Sequence, residues 1–178
     1  MLIPKPNKGE YAPYTIDYIR LLPDDEQVLQ HLPVNCERML RLVRSLPTDT
    51  LTKPHADGEW TVQDILVHVI DTERVFAYRA LRIGRGDTTA LPSFPHEDYV
   101  PSARANQRHL DDILAEYCQV RQATLSLLES FDEAALTFAA KCNNEMSSLQ
   151  ALIYIIAGHE LHHLYSIQQN YGGGKDNI

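Results

Sequence analysis

Between Asp24 and Leu46 the apolar residues Val28, Leu32, Cys36, Met39, Leu40, Val43 and Leu46 recur at every third or fourth position. That is the spacing of one buried face of an α-helix. Pro33 falls inside the run and has no backbone N–H, which predicts a kink or restart there. Before it, YTIDYIRLL predicts a short helix ended by Pro23. Residues 1–13, with Pro4, Pro6 and Pro13, are expected to lie extended on the surface. A second long helix has a well-marked start. Thr61 can cap it, with Asp64 three residues on and Trp60 and Ile65 as a hydrophobic staple. It then runs through ILVHVIDTERVFAYRALRI to Gly84. A third begins near Ser102 and continues to about Ser130, with Ile113, Leu114, Tyr117, Val120, Leu125 and Leu128 as its buried stripe. The last starts at Ser147, with Gln150 in the capping-box position. It runs through ALIYIIAGHELHHLYSIQQ and dissolves at Gly172-Gly173-Gly174.

The pattern contains no internal repeat and no convincing strand pair. FDEAALTFAAKCNNEM is mixed, with room for one short helix. The implied fold is all-α: a four-helix bundle with a short N-terminal extension, and a long connection between helices 2 and 3 (residues 84–101). Connections of that length often line a site or cross a bundle.

At 178 residues one domain over 1–178 is expected, large enough to fold without disulfides. The formal net charge of −8 argues against nucleic acid and anionic membranes as partners, because both are bound through Lys and Arg. The nearest approach to a basic patch is Arg74, Arg79, Arg82 and Arg85, whose spacing reads as a solvated helix flank. Cys36, Cys118 and Cys142 are far apart and form no CxxC, which fits a reducing compartment. MLIPKPNKGEYAP has no apolar core region of a secretory signal, and no apolar run reaches ~18 residues. A soluble cytoplasmic protein is expected, acting on a small molecule and forming a homodimer as helical domains of this size often do.

The chemistry gathers in GHELHHL. His159-Glu160-Leu161-His162-His163 matches H-E-x-x-H, the zinc-protease helix signature. Such a protease needs a third ligand, usually downstream. Only 15 residues follow His163; they hold no His and no Glu, and Asp176 lies beyond three glycines. The protease reading fails there, yet His159 and His163 still share one helix face, with Cβ atoms roughly 5–6 Å apart. Leu152 and Ile156 precede them on that face, so the pair must find partners when buried. His68 is the best third group, in line with Ile65, Thr72 and Phe76 on the second helix, and Asp71 one turn on could orient its imidazole. Spacing alone leaves two readings open: a metal site shared by two helices, or hydrogen-bonded core histidines. His162 is off the main face and could support the site. His96, beside Glu97 and Asp98 in the long connection, could approach as a lid residue. His31, His55 and His109 read as solvated, and Cys118 and Cys142 as small buried hydrophobes.

These segments together carry a resemblance. A Trp at a helix start, an inward His (GEWTVQDILVHVIDTERVFAYRALRI) and a late H-x-x-H-H helix resemble the DinB/YfiT-like superfamily of four-helix metalloenzymes. YAPYTIDYIRLLP and GRGDTTALPSFPHEDYV are similar to its YfiT-like branch, so the likeness covers nearly the whole chain. The resemblance implies a divalent metal, zinc or nickel, on His68, His159 and His163. It also implies enzymes that transfer low-molecular-weight thiols such as bacillithiol or mycothiol, isomerases with a thiol cofactor, and hydrolases. The DinB name records damage induction in one relative and does not imply DNA binding.

Three neutral imidazoles would leave the metal an open position, the form of a catalytic site. A thiol would occupy it as thiolate; water there would be activated for hydrolysis. Glu160 is the one candidate base for the hydrolytic version. A non-catalytic metal- or ligand-binding module would instead close the fourth position, for example with His96, Glu97 or Asp98. Thiol transfer to an electrophilic small molecule is the preferred expectation.

Overall fold

The computed structural model of the chain describes residues 1–172. Its helices are α1 (Ile16–Ile19), α2 (Val28–Ser45), α3 (Val62–Gly84), α4 (His96–Ala103), α5 (Leu110–Leu128) and α6 (Leu149–Tyr171). The long ones, α2, α3, α5 and α6, form a four-helix bundle. α3 packs along α5 and α6, and α2 packs along the same two. The consecutive helices α2 and α3 therefore stand diagonally across the bundle, and so do α5 and α6. The segments 46–61 and 129–148 each have to cross the bundle end to connect them.

The expected starts hold where side chains fix them. Thr61 caps α3: its hydroxyl accepts from Asp64 N–H at 3.1 Å, and Asp64 accepts back from Thr61 N–H at 3.2 Å. α6 begins one residue later than expected. Ser148 is the cap, accepting from Ala151 N–H at 3.0 Å, while Gln150 donates to the Pro4 carbonyl instead. That bond helps seat the N-terminal extension. Ile3 is fully buried, and its carbonyl accepts from the Tyr154 hydroxyl at 2.7 Å. The extension lies over the surface as expected, anchored by Ile3 and Ala12, which enter the core.

Three further expectations are corrected. α2 runs through Pro33 without restarting, the ring lying on its exposed side. The third long helix does not start near Ser102. α4 ends there at Arg104, which takes a left-handed conformation (φ 50°), and α5 begins only at Leu110. The stretch between is pinned over the start of α3, where Gln63 Nε2 donates to the Ala105 and Arg108 carbonyls. Finally, Ala139–Cys142 and Glu145–Ser148 pair as an antiparallel hairpin, β1 and β2. Asn143 and Asn144 both have positive φ (54° and 66°), the two-residue turn that suits a right-twisted hairpin. The expected dissolution of α6 is seen as far as Gly172; Gly173, Gly174 and Asp176 lie outside the described residues.

The apolar core is in two parts. One gathers Ile3, Leu32, Ile83, Leu128, Leu152 and Ile156; the other gathers Met39, Leu66, Ile70, Leu114 and Ile167. Between them every long helix contributes a polar group to one buried layer. Arg121 of α5 forks onto Glu73 of α3 at 3.0 and 2.7 Å, and reaches Glu160 of α6 at 2.8 Å and the Leu32 carbonyl of α2 at 2.7 Å. None of the three charged side chains is more than 3% exposed.

Candidate metal centre

α6 is buried on every side from Leu149 to Leu161, the behaviour of a helix apolar all round. It lies centrally, between α2, α3 and the short α1. Gly158 permits this. A Cβ there would come within 2.1 Å of the Tyr18 carbonyl oxygen, so α1 can cross α6 only where a side chain is missing. The crossing lays the Tyr18 ring edge-on against His159 and His162, at 5.4 Å from each.

In the groove between α3 and α6 three imidazoles converge. His68 Nε2 is 3.1 Å from His159 Nε2, which is 3.2 Å from His163 Nε2. One ring nitrogen from each lies within 4.8 Å of the others. A tetrahedral ion with N ligands at ~2.0–2.1 Å needs donors about 3.3 Å apart. Two edges of the triangle are close to that. The donors also have the right protonation. Burial, then His96 and His162, hold His68 down to about 4. Burial, then His68, His162 and His96, hold His163 down to about 3. Burial, then His163 and His68, depress His159 well below the usual range. Neutral imidazoles offer lone pairs, so the residues present fit a divalent cation.

The triad opens onto a pocket of about 360 Å³. Tyr18, Trp60, Phe76, Phe94, Leu152 and Ile155 supply its apolar walls. Trp60 stands 4.8 Å from the His68 ring and His96 5.7 Å from it. His96, at the start of α4, thus approaches from the long connection as expected, and both it and His162 are exposed. Among the described residues no carboxylate lines this pocket.

Two of the expected supporting roles do not match the geometry. Glu160 follows His159 by one residue, about 100° round the helix, and is fully buried on the bundle side. Arg121 and the Tyr117 hydroxyl both donate to it. Glu160 is therefore a member of the buried layer, not a base facing the pocket. Asp71 lines a small cleft beside His68, but its carboxylate is drawn to Arg74 at 3.2 Å. Among the described residues no hydrogen bond joins it to His68. The supposed arginine flank is also broken up. Arg74 pairs with Glu116 at 2.6 Å, Arg82 pairs with Asp87, and Arg79 is buried in the pocket wall. His31 is not simply solvated either, since it pairs with Asp25 at 2.8 Å.

The sequence did not single out Tyr18 or Gly158, and Arg79, expected on a solvated flank, is buried instead. A signal existed for Arg79, which is eleven residues after His68 and only about 20° round the helix from it. For Tyr18 and Gly158 there was none, since the contact joins segments 140 residues apart in sequence.

The DinB superfamily profile matches residues 34–167. The chain belongs to the DinB superfamily. Within it, a protein of Oceanobacillus iheyensis, named as a candidate metal-dependent hydrolase, is 23% identical over 149 residues, 83% of this chain and 85% of its own. Three solved structures share the DinB-type fold. YfiT from Bacillus subtilis, described as a probable metal-dependent hydrolase with an unusual four-helix bundle topology, superposes with a TM-score of 0.72 at 17% identity, over 96% of this chain and 94% of its own. A mycothiol-dependent maleylpyruvate isomerase gives 0.67 at 12% identity, over 86% of this chain and 62% of its own. A DinB-like protein of Bacillus subtilis gives 0.59 at 16% identity, over 85% and 96%. No helix among the described residues is long and apolar enough to cross a membrane.

Proposed function

We propose that His68, His159 and His163 hold a divalent metal, zinc or nickel, and that the chain is an enzyme transferring a low-molecular-weight thiol to an electrophilic small molecule. The metal, when bound, supplies a Lewis acid that lowers the pKa of a thiol or water beside it. The observation that carries the thiol version is the pocket lining: apolar and aromatic walls around the triad, with no carboxylate among the described residues that form them. A thiol made acidic by a metal needs no further base. Trp60, Tyr18 and Phe76 exclude water and leave an apolar surface for the electrophile. In the transfer a carbon–sulfur bond forms, the leaving group departs with its electron pair, and the thiol proton passes to solvent by way of His96 and His162.

The hydrolytic reading draws on the same rim histidines. His96 and His162 are imidazoles at the pocket rim and are able to move a proton from water. The names of the Oceanobacillus and YfiT relatives support the same reading. One experiment separates the two. Metal-loaded protein is assayed with a chloronitrobenzene electrophile plus bacillithiol, mycothiol or glutathione, and separately with nitrophenyl esters and no thiol. Thiol-dependent loss of the aryl chloride, absent in His68→Ala, is the expected result. Ester turnover at full rate without thiol would overturn it in favour of hydrolysis. A cobalt-substituted protein whose absorption ignores both thiol and azide would instead indicate a non-catalytic metal-binding module.

A further inference from the structure

The face of α3 that carries His68 carries two more polar groups into the same pocket. Thr72 lies one turn beyond His68, and Arg79 lies two turns beyond Thr72; both line the cavity. Thr72 is 3% exposed, and its Oγ1 has no hydrogen-bond partner among the described residues. A buried hydroxyl without a partner is costly in free energy, so an orphan in the wall of a cavity is one sign of a group that settles against that wall.

Arg79 is the second sign. It is 6% exposed. One of its five N–H donors is used on the Pro92 carbonyl at 2.7 Å. Phe76 and Phe94 flank the guanidinium, with ring centroids 5.6 and 5.4 Å away. Among the described residues no acidic side chain pairs with it, whereas Arg74 and Arg82 on the same helix each have a carboxylate partner. A buried cation held between two rings and facing a pocket with no acidic wall lacks a counter-ion, and buried charges are normally paired.

We propose that Arg79 and Thr72 form an anion subsite, and that the ligand of this pocket is an elongated carboxylate. Its carboxyl group pairs with the Arg79 fork, a polar atom along its length bonds Thr72 Oγ1, and its far end reaches the histidines. The placement of that far end rests on the function proposed above; the carboxylate at Arg79 does not. Eleven residues of helix separate His68 from Arg79 by about 16 Å along the axis, which the Arg79 side chain shortens by reaching back. The ligand is therefore extended, and its apolar middle lies against Phe76, Leu152 and Ile155. Either the thiol or the electrophile can carry the carboxyl group.

The test is calorimetric and uses two acid–neutral pairs on the metal-loaded protein. Mercaptohexanoate against mercaptohexanol asks whether the thiol carries the carboxylate. Chloronitrobenzoate against its amide asks the same of the electrophile. In at least one pair the acid should bind about tenfold tighter than its neutral partner, as about 1.4 kcal/mol of pairing gives. Arg79→Gln should abolish that preference and leave the neutral compound bound as before. Arg79→Lys, which keeps the charge, should retain part of it and stands in if the glutamine variant does not fold. Thr72→Val should weaken the acid severalfold without lowering thermal stability, since no protein hydrogen bond is lost; a purely structural threonine would show the reverse. No acid preference in either pair, or one that survives Arg79→Gln, would overturn the subsite. Repeating the titration on His68→Ala separates the two proposals: acid preference kept in that metal-free variant leaves the subsite standing alone, and a metal-loaded wild type with no acid preference leaves only the metal centre.

Discussion

His68 and His163 resist protonation because burial, and after it the neighbouring imidazoles His96 and His162, penalise a charge, which holds them to about 4 and about 3. An unfolded chain takes up those protons near pH 6.5. Stability linked to these groups is therefore full above pH 6.5 and is lost as pH falls from there toward 4 and then 3. The slope reaches about 1.4 kcal/mol per pH unit for each proton taken up only by the unfolded chain. Metal-free wild type should melt at steadily lower temperature across that window, and His68→Ala should show a shallower fall. Proton competition for a bound metal should begin well below pH 6.5, which metal release during a pH titration would reveal. Glu160 makes a different prediction. Because its carboxylate serves Arg121 and Tyr117 rather than the pocket, Glu160→Gln should keep one metal per folded chain and its turnover, and should lower the denaturation midpoint. A folded variant with metal but no turnover would restore Glu160 as a base.

At the scale of elements, the α1–α6 crossing is the tightest joint next to the site. Gly158→Ala must push α1 away, because backbone rather than a movable side chain blocks the new methyl. Overpacking of this kind costs about 1–3 kcal/mol, measurable by urea unfolding. Loss of the Tyr18 cover should also raise exchange of the bound metal with a chelator. The α3 start, the α6 span and the His159–His163 pair were legible in the sequence because each rests on local spacing: a cap, an apolar period, an i, i+4 pair; His68 joined them as an inward residue of another helix and through the family resemblance. The α4–α5 break was less so. It depends on Arg104 adopting positive φ and on Gln63 holding the Ala105 carbonyl, and neither leaves a periodic mark. The Asn143-Asn144 turn was readable in principle, but its strands, four residues each, are too short to alternate clearly. Glu160 was misread because a motif is a string, whereas a helix turns each successive residue toward a different neighbour.

For the whole molecule, the buried layer of Arg121, Glu73 and Glu160 ties α2, α3, α5 and α6 at one level. Arg121→Met would leave two carboxylates buried without their cation, and a loss of about 3–5 kcal/mol is expected. Joint replacement with Glu73→Leu and Glu160→Leu should recover much of it, as equilibrium unfolding of the two variants would show. The layer also fixes the relative height of α3 and α6, and so the level at which the histidines meet. Those histidines are 91 residues apart, and their helices belong to different halves of the bundle's connectivity. No partly folded chain lacking the α3–α6 interface can present all three nitrogens, so the ion is captured after collapse rather than guiding it. Metal should then act on the clock of unfolding alone. Saturating zinc should slow the unfolding limb of a chevron and leave the refolding limb where it was. In practice the loaded protein would be long-lived without being quick to form, and a chelator would shorten its lifetime without changing how readily it refolds.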